Sequence, residues 1–375
     1  MGEVRPFFHR VESLRGIGAV IVAAWHVSGW AVNGVMLLPH MPWPDAGWVQ
    51  NTIGRIELAL LPGHSALMMF FIISGFVLRV SLQYGPQDPA GAAVRFHIAR
   101  IFRIYPVVMF SMLLAAIVYG WRLPGHDGQP GPPLEVGTFV ANLLLLDASL
   151  NGTLWAIQVE ILMAPVIVAL YFVERSRGPL MLLAIAVVTS ALSFSAGWAF
   201  WRPLSHNMFV FVLGMLVPTL GCRLVQGLSP IAARRVLLAV VLALFLTGPI
   251  FGFFSRFAAL FEGYLAFVLV SLAAYRLDVA GLRFLDRRPV RLLGLSSGSY
   301  YVLHMSLLVW IVPLVAVGVP AALSLQVPAI MGPAIIATAM ACLAVPALVS
   351  YYAIEAPGIA LGRVILVGWR RRVSH

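Results

Sequence analysis

The stretch "RGIGAVIVAAWH", Arg15 to His26, decides how the rest of the chain is read. Ten uncharged, mostly apolar residues lie between a guanidinium and an imidazole. A membrane-crossing helix needs about 20 mainly apolar residues, and the run extends to that length over roughly residues 16–36. A basic start followed by an apolar stretch is also how a signal peptide begins. Here "AAWHVSGW" is a poor cleavage site, and the segment reads as a retained first span.

Composition supports a membrane solvent for the whole chain. Of 375 residues, 61% are hydrophobic and only 10% are charged, against about 25% charged in a soluble domain. Mean hydropathy is +0.94. Further apolar segments follow at about 62–82, 104–120, 153–173, 179–196, 206–222, 234–253, 257–275, 299–318 and 328–354. The expectation is an all-α polytopic transmembrane bundle of about ten spans, forming one membrane domain over residues 1–375. The run at 137–146, "GTFVANLLLL", is too short to cross and reads as re-entrant or interfacial. A net charge of +11 raises nucleic acid as a partner. That class is excluded because the basic residues sit between apolar runs and not on one polar face. Two cysteines, Cys222 and Cys342, make neither a disulfide framework nor a metal site, so no metal is expected.

Arginine sets the orientation. All 25 basic residues are Arg. With a cytoplasmic N-terminus, Arg55, Arg122, Arg202 and Arg256 face outward and the other 21 of the 25 face inward. The positive-inside rule therefore places both termini in the cytoplasm. The longest outer segments, about 37–61 and 121–152, carry Gly, Pro, Trp and Asp suited to a polar substrate.

Eleven steps of about 100° put Arg15 and His26 on one helix face, about 16 Å apart along the axis. Arg15 alone is most simply a topology anchor at the inner mouth. His26, inside the membrane, is a functional candidate by default, and a neutral imidazole there can act as a general base. The competing role is a structural hydrogen bond to a neighbouring helix. In "RFHIARIFRIYP", Arg95, Arg100 and Arg103 precede Pro106. Planar guanidiniums bind phosphates bidentately, although an inward basic loop on anionic lipid is the plainer reading. "FFIISGFVL" places Ser74 and Gly75 in the inner half of the second span, where small residues permit close helix contact. "NGTLWAIQVE" carries Glu160 into an apolar helix, where it needs His26 or an arginine as partner. "SSGSYYVLH" and "SYYAIEAPG" place His304 and Glu355 near inner helix ends. His64 and His206 stand at outer helix ends and read as interfacial.

Together these strings resemble the acyltransferase-3 family of integral membrane O-acyltransferases, over nearly the whole chain. Its Arg, ten residues and a His match Arg15 and His26; its "SGFVL" element matches Phe70 to Leu78. The arginine-rich stretch before a hydrophobic-Pro step matches Arg95 to Pro106, and a Trp with Glu five residues on matches Trp155 and Glu160. "SY…LH" matches Ser299 to His304, and "iE.P" matches Ile354, Glu355 and Pro357. Departures are Gly18, where Ala is usual, and a split arginine pair, which leaves open which of Arg95, Arg100 and Arg103 meets a ligand. The stand-alone form, without a fused esterase-like domain, is expected.

The resemblance implies transfer of an acyl group, usually acetyl from cytoplasmic acetyl-CoA, to a sugar hydroxyl of a glycan or glycolipid. His26 and Glu160 would be catalytic. Arg15, Ser74, Arg95, Arg100, Arg103 and His304 would hold the donor. The expected location is a bacterial inner membrane. The rival is a proton-coupled exporter of a glycan or small molecule, with His26, Glu160 and His304 as a relay. Such an exporter calls for two-half symmetry and interrupted helices in corresponding halves, and neither is visible in the sequence.

Overall fold

A computed structural model describes residues 8–32, 35–38, 43, 46–120, 134–195, 201–253 and 255–373. Backbone polar groups within a bilayer must be bonded inside the protein, which helices achieve within one segment. The described chain is helical almost throughout, with α1 at His9–Ser28. A two-stranded antiparallel ribbon follows, β1 Ala31–Val32 against β2 Val35–Met36. Next come α2 (Trp48–Ala59), α3 (Gly63–Gln83), α4 (Pro89–Gly120), the short α5 (Val136–Leu143), α6 (Leu154–Arg177) and α7 (Pro179–Leu192). α8 (Arg202–Leu216) runs through a π turn at Val217–Gly221 into α9 (Cys222–Gln226), followed by α10 (Pro230–Phe251) and α11 (Arg256–Tyr275). A 3₁₀ turn at Ala280–Asp286 and α12 (Arg288–Leu295) lead to α13 (Ser297–Val317) and α14 (Ala321–Gln326). α15 (Pro328–Ser350) passes through a π turn at Tyr351–Glu355 into α16 (Ala356–Val373).

Eight helical segments among the described residues are long and apolar enough to cross a membrane. Of the ten expected spans, the first and fifth are the two outside that set. α7 is apolar but has only 14 residues. α1 has 20, with Glu12, Arg15 and His26 diluting its apolar character. The chain is thus an all-α, multi-pass membrane bundle.

Three boundaries differ from expectation, and each bears on the site. α1 ends at Ser28, well short of residue 36, so His26 lies in its last turn. α4 begins at Pro89, which puts Arg95, Arg100 and Arg103 on a helix that carries Pro106 within it. The last span does not stop near Glu355: helix continues to Val373, with Glu355 buried in the π turn. The run at 137–146 is the short helix α5 and a turn. Of the two long outer segments, 121–133 lies outside the described residues, and the other contains α2.

α3 is the central element, packed on α1, α8 and α11. Its crossing with α8 is closed by two glycines. A Cβ on Gly75 would stand 2.2 Å from the Phe211 carbonyl oxygen, and one on Gly214 would stand 2.2 Å from that of Ile72. Backbones this close admit only glycine, so Gly75 serves packing. At the foot of the bundle α1 meets α12 in the same way, through Gly16 and Gly294. Buried Arg10 clamps this foot, bonding Asp286 at 2.7 and 2.9 Å and the Arg276 and Leu277 carbonyls at 3.3 Å.

Candidate active site

Five helices supply most of the residues singled out above, together with further polar side chains beside them. α1 contributes Arg15 and His26, α4 contributes Arg100 and Arg103, α6 contributes Glu160, and α13 contributes Ser297, Tyr301 and His304. α3 adds Ser74. At the lowest level the half-buried Arg15 donates from Nε to the Ser297 hydroxyl at 2.7 Å. This contact joins the start of α13 to the lower half of α1.

Glu160 finds its partner in an arginine. Arg100 Nη2 donates to Glu160 Oε1 at 2.5 Å and to the Glu160 carbonyl at 3.2 Å, and Ser74 donates to Oε1 at 3.0 Å. The carboxylate therefore holds α3, α4 and α6 together. Arg100 is buried, and a guanidinium without a counter-charge there would be costly.

The other inner arginines divide by partner. Arg10 is neutralised by Asp286 and Arg79 by the buried Glu174, a pair that ties α3 to α6. Arg95 donates to the Tyr84 carbonyl at 3.2 Å, in the turn between α3 and α4. Arg15 and Arg103 have no carboxylate within ion-pair distance among the described residues. They repel each other, and Arg15 also feels Glu355, Glu12 and Glu160 from farther off. Glu355 spends its own acceptor capacity on Ser299, taking the backbone N–H at 3.1 Å and the hydroxyl at 2.9 Å. It fastens the π turn to α13. Two guanidiniums that act on each other, with carboxylates near but none in contact, are groups of the kind that can bind an anion with several acceptor oxygens.

Above them stand two histidines. The His26 and His304 rings are 5.2 Å apart, tilted by 36°. His304 lies seven residues up α13 from Ser297, about 10 Å along the axis. His304 is fully buried, whereas His26 opens out of the packed interior. Of the two imidazoles, His26 is the one with an exposed ring.

Behind the pair is a neutral polar network that sequence reasoning missed. Asn151 donates to Ser111 and to the Val302 carbonyl, both at 2.9 Å, and accepts from the Thr153 hydroxyl at 2.7 Å. Tyr301 donates to the Thr153 carbonyl at 3.1 Å. These bonds fix the start of α6 against α4 and α13. Asn151 opens the quoted "NGTLWAIQVE" string, and that was the available signal.

The outer histidines lie away from this cluster. His64 is bonded to the buried Glu262 of α11 and is no interfacial side chain. His206 is near Arg202 and Arg256. No group of metal-binding side chains occurs among the described residues.

No curated protein and no solved structure matches the chain. A family model described as an acyltransferase domain matches residues 8–352, from the foot of α1 to the π turn before α16. That match contains Arg15, His26, Arg100, Arg103, Glu160 and His304, and ends three residues before Glu355. The chain therefore belongs to the acyltransferase-3 family, as an acyltransferase built into a multi-pass membrane bundle.

Proposed function

We propose that this acyltransferase moves an acyl group, acetyl in the first instance, from cytoplasmic acyl-CoA to a hydroxyl of a sugar in a cell-surface glycan or glycolipid. One observation carries this: among the described residues Arg15, on the lower part of α1, and Arg103, on α4, make no ion pair with a carboxylate, and the last turn of α1 presents His26. CoA has phosphates at one end and a thioester at the other. The 16 Å from Arg15 to His26 along α1 is a distance over which its pantetheine arm can extend.

In this scheme Arg15 and Arg103 hold the phosphates, and Arg100 is kept in place by Glu160, whose carboxylate Ser74 also bonds. Arg95 serves the turn between α3 and α4. His26 accepts the proton of the attacking hydroxyl as general base. Glu160 is then a positioning residue for the donor site and not a partner of His26. The proposed location is the inner membrane of a bacterium.

Mass and linkage analysis of surface glycans from cells with and without the protein tests the proposal. The expected result is loss of one O-acyl substituent with the glycan backbone still exported. Loss of the exported glycan itself would overturn the proposal in favour of a transporter.

A further inference from the structure

His304 is packed to zero exposure on α13, yet one of its ring nitrogens has no partner. Its Nδ1 lies 2.5 Å from the Tyr301 carbonyl oxygen in the preceding turn. A carbonyl has no hydrogen to give, so Nδ1 carries the hydrogen and donates it. In the neutral ring, Nε2 is left with a lone pair and no proton. Buried acceptors ordinarily find donors, and an exception calls for a reason.

The imidazole beside this ring is His26, the base of the proposed reaction, with ring centroids 5.2 Å apart. His26, on α1, is the one ionisable side chain whose charge acts on His304 among the described residues. Tyr301 lies beside it on α13, ring centroids 5.6 Å apart. Glu160 of α6 acts on the Tyr301 phenol. α4 contributes only hydroxyl contacts nearby, Ser111 with Ser306 and the Val302 carbonyl.

Resting on the acyl-transfer reading above, we propose that His304 is the positioning residue of His26. Its unprotonated Nε2 accepts the N–H of His26, across one bridging water or after a small turn of the outward-opening ring. The other His26 nitrogen, with its lone pair, is thereby aimed at the acceptor hydroxyl. As the hydroxyl oxygen bonds to the thioester carbonyl carbon, its proton passes to that nitrogen. Collapse of the tetrahedral intermediate breaks the C–S bond, and the departing sulfur takes the proton from His26. Ester and CoA thiol leave, and His26 is neutral again. His304 keeps its proton on Nδ1 throughout. During the step its lone pair faces an imidazolium, to which a hydrogen bond is stronger than to the neutral ring.

The test uses the full chain in lipid nanodiscs, with acetyl-CoA and the glycan whose O-acylation the surface-glycan analysis reveals, comparing wild type, His304→Leu and His304→Gln. Membrane abundance, donor KM, kcat and the pH dependence of kcat are measured. His304→Leu should lower kcat by about 10²-fold, the scale on which misplacing a reacting group acts, and leave donor KM unchanged. Losing the acceptor destabilises the imidazolium, so the acid limb of the profile should move to lower pH. His304→Gln retains an acceptor oxygen and should recover part of both. If His304→Leu does not accumulate, His304→Asn, too short to reach, takes its place with the same expectation. Wild-type kcat with an unmoved acid limb would overturn the proposal. So would equal losses in both variants that follow abundance. A wild type that transfers nothing would overturn the acyl-transfer reading and this proposal with it.

Discussion

Arg15 differs from its neighbours in what its guanidinium has to bond. Its Nε is committed to Ser297, and among the described residues no carboxylate lies within ion-pair distance of the rest of the fork. Arg15→Lys keeps the charge and loses the planar fork, so donor binding should weaken and kcat should change less. Equilibrium binding of a CoA analogue, read beside protein abundance, checks this. Unchanged affinity would leave Arg15 as an anchor. Arg15, His26, Arg100 and Glu160 were legible in the sequence because a charge in an apolar run stands out. The pairing of Glu160 with Arg100 and not His26 was not legible, because it depends on how α4 and α6 cross. Ser297, Asn151 and Tyr301 carried no such signal. A neutral polar side chain in an apolar helix is ordinary, and Ser297 meets Arg15 across 282 residues of sequence.

At the scale of elements, two junctions hold the site's helices in place. The Gly75–Gly214 crossing leaves no room for a side chain. Gly75→Ala should therefore cost about 1–3 kcal/mol, as overpacking does, seen as a lower unfolding temperature in detergent. An unchanged midpoint would show that α3 and α8 can part without penalty. The second junction is Arg10 with Asp286, outside the spans. The hydrogen bond from Arg10 holds the Asp286 carboxyl below the usual range. A depressed folded-state value gives stability that is present above the unfolded value of about 3.9 and is lost as pH falls through the folded one. Asp286→Asn should thus be less stable than wild type near neutral pH, and the gap should close in acid. Because Asp286 is half exposed, salt should shrink it as well. Helix existence was legible from apolar length, whereas helix ends were less so. The basic run before Pro106 reads as a loop by charge, yet it is helical, since Pro89 opens α4 there. α1 stops early where Gly29 and the short ribbon intervene.

At the scale of the molecule, the arginine bias and the site make one statement about sidedness. In the proposed reaction Arg15 and Arg103 would face the compartment that holds acyl-CoA, and His26 would be reachable by the acceptor. A reporter fused to the C-terminus should therefore report a cytoplasmic location, because the expected ten-span topology puts 21 of the 25 arginines on that side. An external reporter would invert the donor path.

The central claim is that His26 moves the proton of the acyl acceptor, and His26→Gln tests it most directly. Glutamine keeps a polar group of similar reach, so a structural hydrogen bond would be largely restored and proton transfer would not. Acyl transfer from labelled acetyl-CoA to the surface glycan is measured with membrane abundance and donor binding alongside. The predicted result is normal abundance, retained donor binding and transfer lower by about 10²–10⁴-fold. Near-normal transfer by His26→Gln would contradict the claim.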